Sequence, residues 1–121
     1  MPEIRRFYVK NGKKNLALIE YDTRTKQFLR MRLNPKLDVV KAPAMIKIIA
    51  RAGLQEIGGK DTLDWVRERI IPANRMNINE ILRAAHIPEY DELAMLLWAH
   101  GRCVQDHMYV EELQADEVAE F

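Results

Sequence analysis

The chain is predicted to fold as a single α+β domain, a three-stranded antiparallel meander followed by about four short helices. Three features lead there. Apolar residues alternate with period two up to Leu33, recur at three- and four-residue spacing after Pro35, and change pattern where Gly, Pro or Asn punctuates the chain. With 121 residues, 48% of them hydrophobic, two separate cores would each be too small to offset chain entropy. One unit over residues 1–115 is therefore expected, with an acidic tail over 116–121 that has little to bury and is expected to be flexible.

The segments IRRFYVK, NLALIEY and FLRMRL read as the strands, separated by Asn11-Gly12 and by Asp22-Thr23-Arg24-Thr25. The third alternates, with Leu29, Met31 and Leu33 on one face and Phe28, Arg30 and Arg32 on the other. In the first hairpin, a two-residue Asn-Gly loop and a three-residue loop with left-handed glycine put Phe7 and Val9 on opposite sides relative to Ile19, and pattern alone does not choose. Leu16 to Ile19 are apolar on both faces, which suits a central strand covered twice or a partner docking on an open face.

After Asn34-Pro35, APAMIKIIARAG reads as a helix with Pro43 in its first turn, Gly53 past its end, and Met45, Ile46, Ile49 and Ala52 as its stripe. Gly58-Gly59 then leads to Asp61, the expected N-cap of TLDWVRERI, in which Leu63, Val66 and Ile70 share a side and Trp65 stands beside them. Pro72 ends that helix. Asn74 or Asn77 caps a third, with Ile78, Ile81, Leu82 and Ala85 at helical spacing. Pro88 opens a fourth, with acids in its first turn and Gly101 as its stop. Three conformations, strand, short helix or irregular arm, stay open for RCVQDHMYVEELQ.

The net charge of +1 conceals a bipolar layout: residues 1–54 hold thirteen Lys/Arg against four Asp/Glu, and residues 55–121 hold six against fourteen. Either a basic surface awaits phosphate or an acidic partner, or the two halves attract one another across the fold. No apolar run approaches the roughly 20 residues that span a bilayer, and MPEIRRFYVK lacks the apolar stretch of a signal peptide. Cys103 is the single cysteine, so no internal disulfide forms. A cytoplasmic protein without membrane association is expected.

The residue inventory disfavours catalysis. Serine is absent, the three threonines stand outside any glycine elbow, and IGGKD matches neither phosphate-binding glycine fingerprint. His100, Cys103, Asp106 and His107 have spacings that could put several ligands near one ion, but they lack the second paired half of a structural zinc motif, so neither metal nor cofactor is expected. The helices flanking AAHIPEY invite a helix-turn-helix reading. Glu89, Asp91 and Glu92 would then meet DNA phosphates, and an antiparallel pair packing Leu82, Ala85, Leu93, Leu96 and Leu97 is the better expectation.

Two binding readings remain. Arg5, Arg6, Lys10, Lys13, Lys14, Arg30 and Arg32, interleaved with Tyr8 and Phe28, place cations and rings on a small sheet, as single-stranded nucleic acid requires. Arg67, Arg69 and Arg75 surround the Ile70-Ile71-Pro72 corner one turn below Trp65, and Trp with Arg are the residue types that dominate protein-binding hot spots. Those arginines could instead pair with Glu56, Asp64, Glu68 or the acidic tail and tie the helices together.

The pattern Trp65, Arg67 or Arg69, Ile71-Pro72, Arg75, Ile78, Ile81-Leu82, then Asp106 and Tyr109, resembles small proteins encoded beside HipA-like kinases in toxin–antitoxin loci. The resemblance spans about residues 62–110 and implies a non-enzymatic accessory module that docks on a kinase-like partner. This chain departs from it in a longer, more basic N-terminal region. The expected function is thus a protein-interaction module, an antitoxin, inhibitor or accessory subunit from a toxin–antitoxin locus or mobile element, with a kinase-like toxin or a nuclease as partner. The alternative is a small nucleic-acid-binding regulator using the basic sheet. A phage-borne nuclease inhibitor fits either, and the oligomeric state is not legible.

Overall fold

The three strands form where alternation places them, and two strands that the pattern did not single out extend their sheet on either side. The computed structural model describes residues 3–103, 106–114 and 116–118. In chain order these hold β1 (Ile4–Asn11), β2 (Lys14–Asp22), β3 (Gln27–Leu33), α1 (Ala44–Arg51), β4 (Glu56–Gly58), α2 (Gly59–Arg67), α3 (Ile78–Ala84), α4 (Glu92–Trp98) and β5 (Met108–Glu112). All pairings are antiparallel and the strand order is β4-β3-β2-β1-β5. The α+β expectation holds, but the meander is the centre of a five-stranded sheet. The three residues of β4 are too few to show a period. Of the three conformations left open after Gly101, the strand is the one adopted, because Met108 and Val110 alternate onto the buried side next to Val9.

Asn11 pairs with Lys14, leaving Gly12-Lys13 as a two-residue loop in which Gly12 takes φ +63, a value that costs other residues energy. That register sets Phe7 opposite Ile19 and Val9 opposite Ala17, all four on the core side. Phe7, Ile19, Met31 and Ile57 then form one row across four strands, each at most 8% exposed. At about 2 kcal/mol per fully buried apolar side chain, such rows are the main favourable contribution to folding. Ile46 and Ile49 of α1, Trp65 and Val66 of α2, and Leu93 and Leu96 of α4 close the core from above.

The strict alternation expected in the third strand fails at one point. Glu20 pairs with Arg30 but Tyr21 pairs with Phe28, so Leu29 is the extra residue of a β-bulge. A one-residue insertion reverses side-chain phase. Phe28, expected beside Arg30 and Arg32, is instead 7% exposed in the core, edge-on to Tyr21 at 5.0 Å between ring centres.

Helix starts also move. Gly58, not Asp61, holds the N-cap position of α2, and Asp61 falls in its first turn. The helix begins hard against β3: a Cβ on Gly59 would lie 2.2 Å from the Phe28 carbonyl oxygen, so only glycine fits. α4 begins at Glu92, later than Pro88, because the Asp91 side chain accepts the Ala94 N–H at 2.9 Å. It ends at Trp98 with Ala99 as its C-cap, and His100 and Gly101 follow with φ +55 and +73. In α3 only Leu82 is buried, while Ile78, Ile81 and Ala85 are half-exposed. Leu93 and Leu96 enter the core and Leu97 packs partly against it, but neither Leu82 nor Ala85 joins that cluster, and α4 packs on α2 more than on α3, so the expected antiparallel pair does not form the core.

Candidate functional site

Arg69, expected from sequence to meet a partner, is turned inward. It is 5% exposed, and its guanidinium holds Asp106 through two bonds of 2.7 and 3.0 Å. It also donates to the Gly101 carbonyl at 3.0 and 2.7 Å and to the Met108 carbonyl at 3.2 Å, and lies 5.2 Å from the Trp65 ring centre. A planar donor fork meeting a carboxylate and two carbonyls suits arginine and not lysine. Burial pushes the Asp106 carboxyl up, but hydrogen bonds from Arg69 and the Met108 N–H, with the guanidinium charge, outweigh it and hold the group below its usual range. The partner of Arg69 is thus Asp106, and not the Glu56, Asp64, Glu68 or tail weighed from sequence. Long sequence separation hid the pair.

Trp65 is also corrected to an interior residue: 7% exposed, with its indole N–H donating to the Met45 carbonyl at 3.1 Å and so joining α2 to α1. Only Arg67 and Arg75 of the expected corner reach the surface. Arg67 meets Glu92 at 3.3 Å. Arg75 has no side-chain ion pair or hydrogen bond among the described residues. It lines a depression of about 360 Å³ together with Ile71, Met95, Trp98, Arg102 and Cys103. Trp98 is 47% exposed there. Sequence reasoning missed it, although the signal existed. Leu93 to Trp98 is apolar throughout, and once Leu93 and Leu96 define the core face the last turn must show an apolar side chain to solvent.

The basic sheet is assembled differently from the expectation. Tyr8 and Phe28, proposed as base-stacking rings, are 8% and 7% exposed and belong to packed clusters. On the face away from the helices, Tyr8 and Leu18 pack with Leu113, so the second apolar side of β2 is covered from within the chain. Around them the arginines meet acids. Glu20 lies 3.1 Å from Arg30 and 3.5 Å from Arg32, Arg30 lies 4.0 Å from Glu56, and Lys10 lies 3.4 Å from Glu111. On the core side at the sheet edge, Arg5 binds Glu112 at 2.7 Å, which holds that carboxyl below its usual range. Arg6 donates to the backbone carbonyls of Gln114 and Glu117. Lys13 and Lys14 stand exposed at the first hairpin tip.

Among the described residues, no three His, Cys, Asp or Glu side chains stand where they could share a metal ion. The Cys103 thiol lies 3.9 Å from Asp106, whose carboxylate is already engaged by Arg69. Asp116 to Val118 of the acidic tail are exposed, and residues 119–121 lie outside the described residues. Among the described residues, no helix is long and apolar enough to cross a membrane. No protein-family model, curated protein or solved structure matches the chain.

Proposed function

We propose that the chain is a non-enzymatic protein-interaction module, an antitoxin, inhibitor or accessory subunit of a toxin–antitoxin locus or mobile element, that meets its partner at the Arg75–Trp98 surface. The observation that carries this reading is a half-exposed tryptophan beside Arg75, which has no side-chain ion pair or hydrogen bond among the described residues. Both side chains offer large contact area. The resemblance to proteins encoded beside HipA-like kinases adds a kinase-like toxin as the partner class; a nuclease is the other. The nucleic-acid reading has weaker support, because Glu20, Glu56, Glu111 and Glu112 neutralise much of the sheet.

The test is direct binding between this chain and the purified product of its neighbouring gene, by calorimetry. Tight binding is expected, and R75E with W98A should weaken it about 30-fold or more while leaving the unfolding midpoint in place. A double variant that binds like the parent chain, or a neighbour that is neither kinase, toxin nor nuclease and does not bind, would remove the proposal.

A further inference from the structure

A second surface, which shares only Glu68 with the Trp98 depression, has its own chemistry. α1 and α2 flank an open groove of about 550 Å³. Ile49, Ile57 and Trp65 form its floor, and Ile48 and Leu54, 72% and 48% exposed, stand along it. The side chains were placed there by amphipathic spacing that went one residue too far: Ile46 and Ile49 fill the core face of α1, and Ile48 is left outside with nothing to bury it.

The charged residues that line this groove are all acidic. Asp61 and Asp64 of α2 and Glu68 at its C-cap recur at three- and four-residue spacing, are exposed, and have no ion pair among the described residues. Glu20 and Asp106, by contrast, are each held by arginine. An apolar floor beside a row of unmatched carboxylates complements a segment with leucine-like side chains on one face and lysine or arginine on the other. A helical segment fits better than an extended one. An added strand needs free backbone groups to pair with, yet the neighbouring edge at β4 has its Gly58 carbonyl occupied by the Thr62 hydroxyl at 2.8 Å. A helix satisfies its own backbone and needs only the floor and rim. The groove is also pre-shaped, since the Trp65–Met45 hydrogen bond ties its two walls together.

We infer that the α1–α2 groove is a docking site for a basic amphipathic helix of a partner protein. The test uses the whole chain and a fluorescein-labelled model peptide of about five helical turns, with leucine on one face and lysine on the other, titrated by fluorescence anisotropy. Two controls keep the composition honest: a scrambled Lys/Leu peptide that cannot be amphipathic, and the same helix with glutamate for lysine. The chain's net charge of only +1 leaves little general attraction for a polycation. The Lys/Leu helix should bind, with both controls at least about tenfold weaker. I48E, and the triple change D61N, D64N and E68Q, should each weaken binding about tenfold or more, whereas R75E with W98A should leave it unchanged. The triple variant keeps every apolar contact, so the result stands even if I48E folds poorly. Equal binding of either control, or full binding by both groove variants, would overturn the inference. So would a concentration-dependent dimer in sedimentation that the triple variant dissolves, which would make a second copy of this chain the occupant.

Discussion

On the outer face of the sheet Glu20 sits between Arg30 and Arg32, whereas on the helical side Asp61, Asp64, Glu68 and Arg75 have no ion-pair partner among the described residues. In linear sequence the strands carry the larger excess of positive charge. Folding offsets much of it, because acids from the second half return to the strands: Glu56 through β4, and Glu111 and Glu112 through β5. A run of like charge in sequence measures what the chain carries, and the surface left for a partner is what remains after internal pairing. Exposed pairs of this kind are each worth about 0–1 kcal/mol, so their consequence is a neutralised face more than a stable one.

The largest expected effect breaks the contrast at its centre. R69M should destabilise the chain by about 3–5 kcal/mol in urea unfolding, since it strands Asp106 and two carbonyls without their donor, and R69K should not restore the loss. R75E, on the helical surface, should stay within about 0.5 kcal/mol of the parent. If R69M is equally mild, Arg69 does not tie α2 to the segment before β5.

The same pair has a pH signature. Asp106 is held below its unfolded value, so its contribution is present above the usual carboxylate pKa, about 4, and disappears as pH falls through the lower folded value. Unfolding midpoints should therefore drop on acidification, and D106N, weaker at neutral pH, should show a shallower acid slope. An unchanged slope in D106N would assign the acid sensitivity elsewhere.

A smaller effect separates two adjacent glycines. G59A should cost about 1–3 kcal/mol, because its methyl group meets the Phe28 carbonyl, while G58A, with nothing within 4 Å, should cost less than about 1 kcal/mol. Equal thermal shifts for the two would mean that α2 does not start against β3. The smallest effect sharpens the comparison of faces. Retention on single-stranded DNA should be weak with a shallow salt dependence, and R30E with R32E should change it little. A steep salt slope abolished by that double change would return the sheet to candidacy as a nucleic-acid surface.

Alternation and turn residues determined the first three strands to within a residue or so, and the helix periods located all four described helices, because these signals are local. The single-domain α+β class followed from them. Tertiary structure alone decided the rest. It added β4 and β5, turned Phe28 inward through the bulge at Leu29, and placed Arg69 on an aspartate 37 residues away. It also determined which arginines of the corner face solvent and left Ile48 and Trp98 uncovered. The physical reason is common to all of these. Which face of an element is buried, and which charge is matched, depends on elements distant in sequence that become neighbours only when the sheet closes.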